Sequence, residues 1–487
     1  MNWATLLYDR FIHDTPSKKT IVVDHTGLFS RKEFTESLAE RNTSFAIVYS
    51  TTALFQLISK PVDMIIANQS SNRFSLPGAI QGSGRMIHVD FDALPFNIDV
   101  PLYESLEIDR LLLLLNYCTD FPHVFIHSAN VDTILEQALK HHIGHQNQAL
   151  KSLMETFIGT HGKATPDEVL EAGYCWGQYV FNCCKISYSP NLLLLKKMDE
   201  ALINFILDGG LKHLPFKMLS QFKSVERICG YLKSVSSKKK ALICFDGMGW
   251  AKWCLLKSAL TRHMKLETIE KPVFSILPST TQISRAAIYS GGNLSGIYHA
   301  PQFNEHKAFV NQFQDACMFK HRQPITNDSL LGYNVVSKIY NIFDDTAHST
   351  QLQQNHLSKA TYFDIVTRYL HQTPIFSELQ TLLDNGFRVF FCSDHGCTIA
   401  AGMGKKIEAF LIDAYSKRGT LVIDKAALPE DKYIKYEIPI PGKPIVILAP
   451  PGKMYDYQNT CELTHGGAGL EEMIVPFIEI KTPGETC

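Results

Sequence analysis

Five short segments in the second half of the chain carry side chains able to bind a cation or attack an electrophile. Asp246 ends the apolar run Ala241–Phe245, and the following Gly247-Met248-Gly249 allows a tight turn that leaves the carboxylate pointing into a crevice. Leu277-Pro278-Ser279-Thr280-Thr281-Gln282-Ile283-Ser284-Arg285 sets three hydroxyls ahead of a predicted helix, where free backbone N–H groups make a natural seat for phosphate. Asp344 and His348 are four residues apart, so one helical turn puts both on one face. Ser393-Asp394-His395-Gly396 follows the run Arg388–Cys392, and His465-Gly466-Gly467 precedes Glu471 and a final strand. Taken singly, each has an ordinary explanation: a turn, a helix cap, a surface histidine. Coincidence requires all five explanations to hold at once.

Together the segments offer three aspartates, three histidines and a hydroxyl. Carboxylate and imidazole without thiolate suit zinc or manganese, and the number of donors suits two ions better than one. Two such ions roughly 3.5–4 Å apart clamp the attacking and leaving oxygens of an in-line displacement at phosphorus.

Such groups need strands to position them, because catalytic residues of open α/β sheets gather beyond the carboxyl ends of the strands. Strands are predicted at 241–245, 273–277, 335–342, 388–392, 444–448 and 473–480, with helices between, which makes 236–487 an α/β domain. Residues 1–101 read as a smaller α/β domain, with strands at 20–24, 44–49, 63–67 and 86–89 and a helix from Ser30 to Glu40. Helical patterns dominate 102–235. Thr165-Pro166-Asp167-Glu168 predicts a helix start, and Ser234–Lys240 a solvated linker.

Composition bounds the remaining possibilities. A chain of 487 residues that is 45% hydrophobic and 20% charged excludes disordered, collagenous and low-complexity classes. A formal charge of −1 gives no general attraction to nucleic acid or anionic membrane. The greasiest run, Leu111–Leu115, is far shorter than the roughly 20 residues of a membrane span, and charges interrupt the amino-terminal segment where an export signal is apolar. A cytoplasmic protein without membrane attachment is expected. Its twelve cysteines, with no CxxC pair, are expected to be reduced thiols.

Other candidates carry less. His141 and His145 have metal-capable spacing on a predicted helix, with His142 between them, but no carboxylate stands in register, so an exposed helix face is the preferred reading. Asp90-Phe91-Asp92 reads as a turn, and His25 has no visible partner. Lys405 and Lys406 read as a charged loop, not a P-loop. Residues 292–334 include Tyr298, His299, His306, Lys307, Lys320, His321 and Arg322, a mixture that suits an anionic substrate or a solvated surface loop equally well.

The order Asp, Thr, DxxxH, DH, H resembles the alkaline phosphatase superfamily. In detail DGMGW, LPSTTQISR, FDDTAH, SDHG and HGGAGLEEMIVP are similar to its PglZ branch, known from BREX phage-defence systems, over residues 241–487. The resemblance implies an alkaline-phosphatase-like, mostly parallel sheet with flanking helices. It implies two divalent ions, zinc or manganese, one held by Asp246, Asp394, His395 and the nucleophile, the other by Asp344, His348 and His465. It favours Thr281 as nucleophile, since Gly291 stands ten residues on, with Thr280 and Ser279 as competitors. Phosphodiesterase relatives place an Asn after a Gly-Ile pair to hold the phosphoryl oxygen. Here Gly296-Ile297 leads to Tyr298, so Ser284 or Arg285 is expected to act instead.

The implied activity is a metal-dependent phosphodiesterase or phosphatase acting through a phosphothreonine on nucleotide or nucleic-acid esters. Its implied setting is phage defence beside proteins such as a DNA methyltransferase. A phosphomonoesterase, a phosphomutase and a metal-stabilised scaffold are the alternatives. A sulfatase is disfavoured because no C/S-x-P-x-R sequence occupies the nucleophile position.

Overall fold

The computed structural model describes residues 2–13, 19–70, 76, 84–159, 164–213, 222–264, 266–299, 303–349, 359–404, 416–422 and 433–481. They belong to two compact units, Met1–His145 and Gln146–Cys487.

In the first unit, β1 (Thr20–Asp24), β2 (Phe45–Val48), β3 (Met64–Asn68) and β4 (Arg85–Val89) form a parallel sheet in the order β2-β3-β1-β4. The two central strands are buried along their whole length, as their unbroken apolar runs require, whereas the edge strands are partly exposed. The helix expected from Ser30 begins instead at Lys32, because Ser30 donates its hydroxyl to the Gly27 carbonyl and leaves the cap position to Arg31. The Ile108–Asp120 helix puts Leu111, Leu114 and Leu115 into the core, and the Val131–Gly159 helix follows.

The second unit is built on β5 (Lys240–Phe245), β6 (Glu267–Phe274), β7 (Ala316–Phe319), β8 (Val335–Tyr340) and β9 (Arg388–Ser393). After these come β10 (Thr398–Gly402), β11 (Gly419–Val422), β12 (Ile434–Glu437), β13 (Ile445–Leu448), β14 (Lys453–Met454), β15 (Cys461–Thr464) and β16 (Ile474–Lys481). The central sheet has the order β6-β16-β9-β5-β8-β7. Strands β9, β5, β8 and β7 are parallel, and β16 lies antiparallel between β6 and β9. The unit is mixed α/β with a mostly parallel central sheet, as expected.

The sequence between β9 and β16 forms two small sheets, β14-β10-β15 and β11-β13-β12. The strand expected at 273–277 starts earlier, at Glu267, because β6 is an edge strand whose first half alternates exposed and half-buried residues and shows no apolar run. The helix start at Thr165 is a capping box: Glu168 N donates to Thr165 Oγ1 at 3.3 Å and Thr165 N to Glu168 Oε2 at 2.7 Å.

This arrangement brings the chemistry-bearing segments to one end of the central sheet. In register, Phe245 pairs with both Ser393 and Tyr340, so the residues just past β5, β8 and β9 are neighbours. Among the described residues, no helix is long and apolar enough to cross a membrane. The eleven cysteines described are free thiols.

Candidate active site

Asp246 follows β5 and is 3% exposed. Its turn is closed from below: Gly247 takes a φ of +72°, Gly247 N donates to Asp394 Oδ1 at 3.2 Å, and Met248 N donates to Ser393 Oγ at 2.9 Å. The buried Lys252 ammonium donates to the Gly247 carbonyl at 2.6 Å. Past β9, Gly396 passes so close to the backbone of Glu471 that any Cβ would collide with its carbonyl oxygen. Only glycine fits there, which lets Asp394 and His395, adjacent in sequence, both face the site.

His395 is fully buried, and its Nδ1 lies 3.0 Å from the Gly396 carbonyl. That contact turns Nε2 toward Asp246 Oδ1, 3.3 Å away, and toward Thr281 Oγ1, 3.0 Å away. The second histidine, His465, follows β15, a strand of a small sheet. Its Nδ1 lies 3.1 Å from the Ser279 carbonyl, and its ring stacks on that of His395 with centroids 4.0 Å apart. Asp344 and His348 share a face of the Ile342–Ser349 helix, with His348 Nε2 3.1 Å from Asp344 Oδ2 and His465 Nε2 3.8 Å from Asp344 Oδ1.

The hydroxyl candidates separate by their surroundings. Ser279 is buried and donates to the Gly467 carbonyl at 2.8 Å, stapling the His465 loop, and Thr280 is buried. Thr281, at the head of a π-type turn over Thr281–Arg285, is the hydroxyl that reaches the cluster. Besides its contact with His395, it donates to Asp246 Oδ1 at 3.4 Å. Arg285, four residues on, shares its face and donates to Asp246 Oδ2 at 2.8 Å and to Glu305 at 2.9 Å. Ser284 points elsewhere: its hydroxyl donates to the Ile276 carbonyl at 3.0 Å and accepts from Ser275.

Seven sequence-selected side chains, Asp246, Thr281, Asp344, His348, Asp394, His395 and His465, thus converge, with Arg285 at their edge. Donor atoms of Asp344, His348 and His465 lie within 4.8 Å of one another, and so do those of Asp246, Asp344 and His395. Asp344 belongs to both trios. Asp394 Oδ1 accepts from the Gly247 and His395 N–H groups, while Asp394 Oδ2 and Asp344 Oδ1 are buried with no hydrogen-bond partner among the described residues. Bare carboxylate oxygens are costly in a buried site, and together with facing imidazoles they fit divalent cations of the zinc or manganese kind.

The electrostatics express the same crowding. Burial, then the neighbouring Asp246 carboxylate, push the Asp394 carboxyl up to about 7. Burial, then His395, push the His465 imidazole down to about 3. Burial also opposes ionisation of Asp246, but the hydrogen bond from His395 and the charge of Arg285 hold its carboxyl below the usual range. For Asp344 the balance is similar, with His348 and His465 as the favourable partners. His395 is raised well above its ordinary value: burial opposes the cation, and Asp394 and Asp246 outweigh it.

Several supporting residues carry no local sequence signal. Glu305 reaches Arg285 across 20 residues of chain. Arg418 and Glu472, both fully buried, pair at 2.9 Å, and Glu472 also accepts from the Gly467 and Gly469 N–H groups, fixing the loop after His465. In the interval 292–334, Tyr298 is buried and donates its hydroxyl to the Leu277 carbonyl, whereas His306, Lys307, Lys320, His321 and Arg322 are exposed. The side chain of His299, and Lys405 and Lys406 entirely, lie outside the described residues.

Comparison with known proteins gives a family model that matches residues 226–480, the BREX system PglZ alkaline phosphatase-like domain. That match spans just over half of the chain. No curated protein sequence matches. Among solved structures, murine ectonucleotide pyrophosphatase/phosphodiesterase 5 is 14% identical over 50% of this chain and 88% of that chain, with a TM-score of 0.33. The human protein of the same name is 15% identical over 50% and 88% of the two chains, with a TM-score of 0.32. A magnesium-bound mutant of TAB5 alkaline phosphatase is 9% identical over 51% and 92%, with a TM-score of 0.20.

Proposed function

We propose, since this chain belongs to the PglZ family of alkaline-phosphatase-like domains, that it is a metal-dependent phosphoester hydrolase with Thr281 as nucleophile and diesters as preferred substrates. The observation that carries this reading is the position of Thr281 Oγ1, 3.0 Å from His395 Nε2 and 3.4 Å from Asp246 Oδ1, beside carboxylate oxygens that lack hydrogen-bond partners among the described residues.

Asp246, Asp394 and His395, with Thr281, would hold one divalent ion, and Asp344, His348 and His465 a second. When bound, the ions supply Lewis acidity that favours an alkoxide at neutral pH and offsets charge on the phosphoryl group. Thr281 Oγ1 forms a bond to phosphorus as the ester oxygen departs from the opposite side, leaving a phosphothreonine and an alcohol. Water then displaces Oγ1 from phosphorus and restores the hydroxyl. Arg285 is the phosphoryl-oxygen donor, its planar guanidinium held beside Thr281 by Asp246 and Glu305. Ser284, whose hydroxyl is taken by the Ile276 carbonyl, supports the turn from behind. His395 and His465, each anchored through Nδ1 to a backbone carbonyl, keep Nε2 turned toward the site.

Nucleotide or nucleic-acid esters, a phage-defence setting and partners such as a DNA methyltransferase complete the proposal. The test is hydrolysis of a chromogenic diester and its monoester with zinc or manganese, beside Thr281→Ala and with the metal content of both proteins. Diester cleavage that disappears with Thr281 supports the reading. Monoester preference would assign a phosphatase, and full metal content with turnover of neither ester would favour a metal-stabilised scaffold.

A further inference from the structure

The first unit holds a second cluster of donors, independent of the site above. His141 and His145 project from one face of the Val131–Gly159 helix, their ring centroids 4.2 Å apart. The carboxylate missing from their own sequence neighbourhood comes from another element: Asp120, the last residue of the Ile108–Asp120 helix, places Oδ2 3.9 Å from His141 Nδ1. Donor atoms of Asp120, His141 and His145 all lie within 4.8 Å of one another.

We propose that Asp120, His141 and His145 form a surface site for a zinc-class divalent ion that ties the end of one helix to the face of the next. Three features favour a cation here. Imidazole and carboxylate oxygen are the donor pair that borderline transition metals prefer over calcium or magnesium. A carboxylate on the last residue of a helix sits where the backbone carbonyls already concentrate negative charge, so Asp120 gains from a bound cation rather than from solvent alone. The His141 ring is also braced edge-on by Tyr117 at 5.9 Å and by Phe121 at 5.0 Å, leaving few orientations for its nitrogens. A zinc–nitrogen bond of about 2.0–2.1 Å needs the three donors somewhat closer than they stand, a contraction within reach of side-chain rotation at positions open to solvent. Asp120 and His145 are exposed, so water completes the coordination.

The test is zinc binding to the full chain, counted by mass spectrometry of the eluted metal after desalting and followed by competition with a chromophoric chelator. Wild type is expected to retain one zinc equivalent more than His141→Ala/His145→Ala. Asp120→Asn is expected to weaken that equivalent at least tenfold. A His348→Ala/His465→Ala chain, altered only in the other cluster, is expected to keep it, which makes the result independent of the proposed hydrolase activity. An unchanged zinc count in a His141→Ala/His145→Ala protein that melts like wild type would overturn the site. Should that double variant fail to fold, unchanged zinc affinity in Asp120→Asn, whose carboxylate is on the surface, would overturn it equally.

Discussion

Two clusters in this chain use the same kinds of donor and differ in nearly everything around them. Near Thr281, His395 and His465 are buried, each oriented by a backbone carbonyl, and Asp394 is fully enclosed. Near His141 the donors sit on helix surfaces with water on one side and aromatic rings on the other. Donor chemistry sets which ions are welcome, and burial sets what a bound ion is able to do. The enclosed cluster carries the cost of crowded charge, visible in an Asp394 carboxyl driven up to about 7 and a His465 imidazole driven down to about 3. That crowding surrounds the hydroxyl of Thr281, the nucleophile in the proposed mechanism. The exposed cluster lies on helix surfaces, with Asp120 and His145 open to solvent.

The largest effect expected from this contrast is on turnover. Thr281→Ala should lower diester hydrolysis by on the order of 10³-fold or more while metal content stays at the wild-type level, read by steady-state kinetics and elemental analysis. Retained activity, with loss instead in Thr280→Ala, would move the nucleophile by one residue.

Chelation comes next. Stripping metal should abolish turnover and lower the melting temperature in calorimetry by roughly 3–4 °C for each ion lost, because site saturation at 100 times Kd contributes about 2.7 kcal/mol. Restoring zinc should recover both. Arg285→Met should cost roughly 10–100-fold in kcat/KM, the scale of one charged hydrogen bond to the phosphoryl group together with release of Asp246.

A smaller effect lies in the packing behind His465, where Asp199 accepts from Leu470 N at 2.7 Å. Burial raises the Asp199 carboxyl to about 7, with Arg418 opposing. The native state therefore binds this proton more tightly than the unfolded state, and stability falls as pH rises from about 4 to 7. Asp199→Asn should remove that component, changing the slope by at most about 1.4 kcal/mol per pH unit in denaturant titrations. Least of all, His141→Ala should shift stability in metal-free buffer by no more than about 0.5 kcal/mol, read by denaturant titration, and leave diester turnover unchanged when assayed with zinc or manganese.

What was legible in the sequence follows from how locally each feature is encoded. Asp246, Asp394 and His395 stand at the ends of unbroken apolar runs, and such runs announce buried parallel strands whose carboxyl ends must meet. Asp344 and His348 are tied by helical spacing alone. Features set by distant partners were silent. Nothing near Asp120 points to His141, and nothing near Arg418 points to Glu472. Between β9 and β16 only the apolar run at 444–448 announced a strand, β13; β10, β11, β12, β14 and β15 are short and several carry polar residues, so no period of two builds up to reveal them. The three hydroxyls of Ser279-Thr280-Thr281 were separable only by direction: a carbonyl takes Ser279, and the turn aims Thr281 at His395.

The position of β16 has a consequence for how the protein is made. A ribosome releases β5, β8 and β9 long before Ile474–Lys481, yet that strand fills the gap between β6 and β9, pairing Ile474 with Phe274 across 200 residues. Until it emerges, two strand edges that end up inside the sheet stand open beside the unfinished chain. Every molecule therefore passes through an interval in which those edges are open to pairing with a neighbour, the kind of exposure from which aggregation starts.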